Sequence, residues 1–336
     1  MNAIRVIQYG LGPIGAGIAR LVIQREGLWL VGAVDIDPSK AGRKLGHVIG
    51  LEAALDLEVQ SRLDEVVVAS EADIVVHSTG SSLPAVYAQL EEIVGAKLNV
   101  VSTCEELAYP AAQHLELADR LQDLAEREGV TILGTGINPG YAMDALGLFF
   151  SAACQHVERI SITRRVDAGT RRLPLQKKIG AGLTVDEFKR LVDAKTVRHV
   201  GLMESVFMLA AGLGWTLDAY DEDIQPIIAE KALESAHVRV RSGDVAGVRQ
   251  RARGFVGGRE VIVLDLEMSL GVEDAGDFVE ITGQPDMSVA ARGIHGDLAT
   301  AAVVVNCIPR VVEARPGLLT MKDAALPSCW SSMVKV

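Results

Sequence analysis

The sequence predicts an α/β protein: a doubly wound parallel sheet into which an α+β domain with a mostly antiparallel sheet is inserted. Three observations carry that prediction. The first 140 residues alternate short apolar runs with helical patterns, as a parallel sheet covered on both faces requires. Within them, residues 4–35 read strand, glycine turn, helix, strand and a closing carboxylate. From about residue 155 the pattern changes to alternating runs broken by turns, before a helix rich in Ala and Val returns at 296–305. The expected organisation is a first domain of residues 1–140, completed by 293–336, with 141–292 inserted for substrate binding and dimerisation.

The opening unit sets the chemistry. A strand at 4–9 leads into Gly10-Leu11-Gly12-Pro13-Ile14-Gly15, and a helix follows through Val22. A second strand at 30–34 ends on Asp35, 20 residues after Gly15. Gly10 permits the tight turn, Gly12 lets backbone approach a pyrophosphate, and Gly15 lets helix and strand pack closely. The helix N-terminus then faces the phosphates with unpaired N–H groups, and Asp35 accepts from a ribose diol. Flanking elements and acid agree, so this is a Rossmann fingerprint, and the expected cofactor is NAD or NADP. Asp35 favours a free 2′-hydroxyl and hence NAD, while Lys40 and Arg43 just downstream are compatible with NADP.

Further strands are expected at 65–68, 72–77, 98–102 and 131–134, with helices at 84–94 and 109–128. Beyond them a strand at 158–164 alternates with one wet face. Thr184, with Glu187 three residues on, marks a capped helix over 184–193. Helices are expected over 201–211 and 226–234. Between 236 and 291, turns at Gly243-Asp244, Gly257-Gly258, 273–276 and 284–286 divide an antiparallel meander.

Composition narrows the class. A length of 336 residues accommodates two cores, and 49% hydrophobic residues fit a soluble enzyme. No apolar run approaches the roughly 18 residues that span a bilayer, and the chain enters its first strand without room for a signal peptide. A net charge of −11 with 4% aromatics argues against a nucleic-acid partner. Cys104, Cys154, Cys307 and Cys329 lie far apart, signalling neither disulfides nor a metal site. The expected location is the cytoplasm.

Ligands of open parallel sheets bind outside the carboxyl ends of the strands. Three such ends stand in register: Ser78-Thr79-Gly80, Ser102-Thr103-Cys104-Glu105-Glu106, and Gly134-Thr135-Gly136-Ile137-Asn138-Pro139-Gly140. Ser78, Thr79, Gly80 and Thr103 are candidates for cofactor contact. Two mechanisms compete for the middle stretch. Cys104 as a nucleophile would make an aldehyde dehydrogenase, but adjacent acids disfavour a thiolate. Alternatively, one carboxylate holds and deprotonates a substrate ammonium, so that hydride leaves a neutral amine, and then activates water for imine hydrolysis. The other acid would serve the helix dipole. The residues alone do not say which is which.

With those residues in view, the chain resembles the 2,4-diaminopentanoate dehydrogenase family, which includes native amine dehydrogenases and is related by fold to dihydrodipicolinate reductase. The resemblance rests on Gly10-Leu11-Gly12 with Asp35-Ile36-Asp37-Pro38, Ser102-Thr103-Cys104-Glu105-Glu106-Leu107 and Gly136-Ile137-Asn138-Pro139-Gly140. It continues through Leu175-Gln176-Lys177-Lys178-Ile179-Gly180, His199-Val200-Gly201-Leu202-Met203-Glu204-Ser205, Gly296-Asp297-Leu298-Ala299-Thr300 and Ile308-Pro309-Arg310 with Pro316-Gly317-Leu318-Leu319-Thr320-Met321. It implies reversible oxidative deamination of an amine to a ketone and ammonia. It assigns Glu105 as the catalytic acid and puts Asn138, Arg164 and His199 in or near the substrate pocket. Arg164 would clamp a substrate carboxylate; the plainer alternative is a solvated strand arginine. His199 is either a substrate contact or a structural histidine. Lys177 and Lys178 suit a domain or subunit contact. The reductase relative uses paired histidines, and no His-His pair occurs here. A non-catalytic nicotinamide sensor would need no carboxylate at this strand end. A homodimer is the expected assembly.

Overall fold

The computed structural model describes residues 3–51 and 56–330. Its chain begins with β1 (Ile4–Tyr9), α1 (Pro13–Gln24), β2 (Leu28–Val34), α2 (Leu45–Ile49), β3 (Val59–Gln60) and α3 (Leu63–Ser70). Next come β4 (Ile74–His77), α4 (Leu83–Gly95) and β5 (Asn99–Ser102). Two 3-10 turns (Glu105–Ala108 and Pro110–Ala112), α5 (Leu115–Glu128) and β6 (Thr131–Gly134) complete the series. Strands β4 and β6 are buried at every residue, which is why their sequences read as unbroken apolar runs. Helix α5 buries Ala118, Leu121, Leu124 and Ala125, one stripe at helical spacing, and stops at Gly129 with φ +74°. A fully buried leucine such as Leu121 contributes about 1.5–3 kcal/mol relative to exposure.

The run at 65–68, expected as a strand, lies inside α3. Asp64 and Glu65 occupy its first turn, Leu63 and Val66 are buried one turn apart, and Val68 is exposed. Three valines in a row carry no period, so the run alone does not separate strand from helix. The long helix expected from 109 starts only at Leu115, because Pro110 and the Glu105 turn take the preceding residues into 3-10 geometry.

A second series holds α6 (Ala145–Ser151), β7 (His156–Asp167), α7 (Leu173–Lys178), α8 (Val185–Asp193) and α9 (Leu202–Gly212). It goes on through β8 (Ala219–Ile228), β9 (Leu233–Glu234), β10 (Arg239–Val240), β11 (Val245–Val256), β12 (Arg259–Ser269), β13 (Gly276–Gln284) and β14 (Met287–Ala291). Six of these strands form one sheet in the order β14-β13-β7-β12-β11-β8. All its pairings are antiparallel except β12 with β7, so the sheet is mixed rather than a simple meander. The helix expected over 226–234 is absent: 226–228 end β8, 233–234 are β9, and irregular chain joins them. Pro226 lies opposite Val248 on the outermost strand of the sheet, where a residue without an N–H is tolerated. Thr184 and Glu187 form the capping box that opens α8.

Helix α10 (Gly296–Val312) and β15 (Gly317–Leu319) then complete a seven-stranded sheet in the order β15-β6-β5-β4-β1-β2-β3, parallel at every pairing. The order reverses direction at β1 and β4, the switch point where such sheets bind ligands. The chain divides into two compact units: residues up to Tyr141 with those from His295 onward, and Ala142–Ile294.

Candidate active site

The three glycines of the turn between β1 and α1 differ in the space around them. Gly10 has φ +92°, and a Cβ there would lie 2.5 Å from the Ser78 carbonyl oxygen. A Cβ on Gly15 would lie 2.0 Å from the Gly10 carbonyl oxygen. A Cβ on Gly12 meets nothing within 4 Å. Packing therefore explains Gly10 and Gly15, whereas a Cβ on Gly12 would meet no packing obstacle in the protein. Helix α1 has Gly12 as N-cap, no side-chain cap and Pro13 in its first turn, so its N-terminal dipole points into that open space. Leu11 and Ile14 complete the loop.

At the end of β2 the Asp35 carboxylate is well occupied. Oδ2 accepts from the Leu11 N–H at 2.7 Å and from Lys40 Nζ at 2.9 Å, and Oδ1 accepts from the Asp37 N–H at 2.9 Å. Burial works against the Lys40 charge, yet its bonds to Asp35 and Asp37 carry its pKa above the ordinary lysine value. Asp35 is thus fixed in place and partly neutralised.

Beneath the turn lies a polar layer that the sequence reading missed. Gln8, fully buried, donates through its amide to the Gly10 carbonyl and to Ser78 Oγ, both at 2.9 Å, and Ser78 Oγ donates to the Gly10 carbonyl at 3.0 Å. Ser78 therefore braces the loop from below. His77 is also fully buried, its Nδ1 2.8 Å from Ser102 Oγ and its Nε2 2.8 Å from both Gln89 Oε1 and Thr79 Oγ1. The Cys104 N–H donates to Ser102 Oγ, so Ser102 is free to donate to Nδ1, and the network fits a neutral Nε2–H imidazole. Burial pushes the His77 pKa down to about 4 from 6.5. The unfolded chain then binds the extra proton between those two values, so stability is full above pH 6.5 and falls as the pH drops toward 4. The loss is on the order of 3 kcal/mol. Urea unfolding at pH 7 and pH 4.5 checks it, with His77→Gln expected to flatten the acid limb. Gln8 and His77 were detectable in principle: each is a polar side chain near the end of a largely apolar strand.

The two acids after β5 separate by environment. Both lie in the 3-10 turn Glu105–Ala108. Glu106 Oε2 accepts from the Leu83 N–H at 2.7 Å and from His114 Nε2 at 2.9 Å, serving the N-terminus of α4. Glu105 is half-buried on the same turn. Thr103 donates its N–H to the His77 carbonyl at 2.9 Å, tying β5 to β4. Gly134 lets β6 come close behind: a Cβ there would sit 2.4 Å from the Leu107 carbonyl oxygen. Gly80 follows β4, and Asn138 is buried in the loop after β6, whose tight return needs Gly140 at φ +114°.

The remaining candidates lie in the second unit. Arg164 on β7 is buried and donates to the Asp277 carboxylate, which is equally buried, and at 3.4 Å to the Ile294 carbonyl. Burial lowers the Arg164 pKa despite the Asp277 charge, and raises that of Asp277 despite the arginine. Arg164 is therefore not the solvated strand arginine considered from sequence; it forms an internal ion pair with Asp277. Nothing local in the sequence marks Asp277, 113 residues away, as its partner. The backbone of His199 is clipped by the fully buried Gln250, whose amide accepts from the His199 N–H at 2.7 Å and donates to its carbonyl at 2.8 Å. Gln250 also donates to Glu222, which accepts from the Tyr220 hydroxyl as well. Burial and the nearby carboxylates push the Tyr220 phenol far above its ordinary range.

The sequence model of the 2,4-diaminopentanoate dehydrogenase C-terminal domain matches residues 141–336. A 2,4-diaminopentanoate dehydrogenase from Acetoanaerobium sticklandii is 34% identical over 335 residues, covering 97% of this chain and 95% of that protein. The chain belongs to the 2,4-diaminopentanoate dehydrogenase family. An amine dehydrogenase of known structure from Mycobacterium smegmatis is similar throughout, with a TM-score of 0.83, 26% identity and 97% of each chain covered. A dihydrodipicolinate reductase from Paenisporosarcina sp. TG-14, 14% identical with a TM-score of 0.54 over 95% of this chain and 98% of its own, shares the fold.

Family membership makes this chain a dehydrogenase with a nicotinamide cofactor and removes the Cys104 alternative. The geometry agrees. Cys104 is buried, and burial together with the charges of Glu105 and Glu106 pushes its thiol up to about 12, so it holds no thiolate at neutral pH. Among the described residues no group of acids, histidines and cysteines could hold a metal ion, and no helix is long and apolar enough to cross a membrane.

Proposed function

We propose that this family member is an NAD(P)-dependent amine dehydrogenase in which Glu105 manages the protons of the substrate nitrogen. The observation that carries the reading is the division of labour between two neighbouring acids. Glu106 caps a helix, while Glu105 stands on the same turn at the carboxyl end of β5, beside the switch point of the sheet. Gly12, the uncapped start of α1 and Asp35 suit the pyrophosphate and adenosine ribose of the cofactor, and a bound nicotinamide supplies the hydride acceptor. Glu105 receives the ammonium as a charge-assisted hydrogen bond and takes one proton. The nitrogen lone pair then stabilises the carbon that gives up hydride. Glu105 releases that proton to solvent, and as a carboxylate again it deprotonates the water that adds to the iminium carbon; returning this proton to the nitrogen lets ammonia depart as the ketone forms. In sum, the protonated amine, oxidised cofactor and water give ketone, ammonium and reduced cofactor with release of one proton.

NAD is the proposed preference, since Asp35 disfavours a 2′-phosphate. Lys40 tempers it by neutralising that carboxylate. Fluorescence titration with NADH and NADPH checks this: Lys40→Ala is expected to weaken NADPH about tenfold, equivalent to about 1.4 kcal/mol, with little change for NADH. Equal loss for both would remove the Asp35–Lys40 explanation.

Within the reaction class, substrates close to 2,4-diaminopentanoate are proposed, and Asn138 and His199 remain candidates for contact with them. Arg164 is proposed to hold the inserted domain together through Asp277. Arg164→Met is expected to cost about 3–5 kcal/mol, because a buried carboxylate loses its partner. It should not selectively raise the KM of carboxylate-bearing ketones. The test of the whole reading is a panel of ketones with ammonia and NADH, including 2-amino-4-oxopentanoate and 4-oxopentanoate. Cofactor oxidation is expected only when ammonia is present; oxidation indifferent to ammonia would reject it. A cytoplasmic homodimer completes the proposal. Four free cysteines support the compartment. Alternating arginine and acid rows on β8, β11 and β12, such as Arg253 with Asp221 and Arg249 with Asp265, offer a self-complementary sheet face.

A further inference from the structure

Helix α4 starts without a cap of its own. Its N-cap residue, Ser82, makes no side-chain bond to the first turn. The cap comes instead from Glu106, whose Oε2 accepts from the Leu83 N–H at 2.7 Å. The contact is reciprocal, because the Glu106 N–H donates to the Ser81 carbonyl at 3.2 Å. The same Oε2 accepts from His114 Nε2 at 2.9 Å, one residue before α5 begins. One carboxylate therefore joins three segments: the turn bearing Glu105, the start of α4 and the approach to α5. Its side chain is 16% exposed and that of His114 22%, so the junction is mostly shielded from water.

We propose that Glu106 is a positioning residue for the reaction, anchoring the turn that presents Glu105, with His114 as its second support. This rests on the reading of Glu105 as the proton-transferring acid. The two residues are consecutive in a turn of only four residues. A shift that releases residue 106 from α4 therefore moves the backbone of residue 105 with it. The same turn is also backed by the close approach of Leu107 to Gly134, so loss of the α4 anchor removes one of its supports. A carboxylate that must meet a substrate nitrogen in the transition state loses rate steeply with small displacements. A glutamine at 106 retains an amide oxygen able to accept from both Leu83 and His114, so it keeps the anchor without the charge.

The test is steady-state amine oxidation by the full-length enzyme and its variants, with NADH affinity measured separately by fluorescence. Glu106→Ala is expected to lower kcat about 10- to 100-fold, leaving amine KM and NADH affinity within about threefold. Glu106→Gln is expected to recover kcat to within about fivefold of the parent, and His114→Ala to lie between, at a loss of about three- to tenfold. A kcat that falls alone and returns with the conservative variant is not what general loosening of the fold produces. Two results overturn the proposal: Glu106→Ala with undiminished kcat, or Glu106→Gln as inactive as Glu105→Gln, which would make residue 106 itself the acid. Should the alanine variant at 106 not fold, the glutamine and His114 variants still decide, since an unchanged His114→Ala contradicts the anchor. Full activity in Glu105→Gln would instead remove the functional reading on which the proposal stands.

Discussion

Glu105→Gln is expected to lower amine oxidation by about 10²- to 10⁴-fold while NADH binding stays near that of the parent. Glutamine keeps the size and can still accept a hydrogen bond from an ammonium, but it cannot take the proton. Hydride would then have to leave a carbon bearing a positively charged nitrogen, and the water needed to release ammonia would lack its base. The loss should fall on kcat in both directions, because the same group returns the proton during reductive amination. Cofactor affinity, which we assign to the glycine turn and Asp35, should not follow it. The neighbouring acid is the internal control. Glu106 is committed to Leu83 and His114, so its glutamine variant should retain most of the turnover. The reverse pattern, activity in Glu105→Gln and none in Glu106→Gln, would exchange the two assignments.

Substitutions at Gly12 and Gly15 should separate binding from folding. Gly15→Ala drives a methyl to 2.0 Å from the Gly10 carbonyl and 2.5 Å from Ser78 Oγ, and the backbone partner cannot swing aside. A destabilisation of about 1–3 kcal/mol is the expected range for overpacking, and this position belongs at its upper end. Gly12→Val meets open space in the protein, so its unfolding midpoint should stay within a degree or two of the parent. Its side chain would stand where the phosphates approach, and NADH affinity should fall about 100-fold, or about 2.7 kcal/mol. Thermal unfolding and fluorescence titration on the two variants read the two effects independently. A Gly12 variant with normal NADH affinity would displace the dinucleotide from this turn.

Local chemistry was readable from the sequence, and long-range pairing was not. The strand–turn–helix of residues 4–24 and the acid at Asp35 follow from residue type and spacing alone, as does the capping box at Thr184. Each depends on neighbours within about one or two turns of chain. The valines of α3 and Pro226 of β8 misled because their local propensities fit two elements equally well, and burial against distant strands made the choice. Arg164 shows the same limit at a candidate site: its partner Asp277 arrives only when β13 pairs with β7. The capping role of Glu106 needed the fold as well. Identical side chains on adjacent residues differ only in what surrounds them, and what surrounds Glu106 is contributed by α4 and His114.

A crystal structure of the enzyme with NAD and a bound substrate amine tests the central claim most directly. The Glu105 carboxylate should lie within hydrogen-bond reach of the substrate nitrogen, with the carbon bearing that nitrogen facing the nicotinamide ring. Glu106 should remain on Leu83 and His114. A complex in which Glu105 points to bulk water and another group holds the nitrogen would contradict the account.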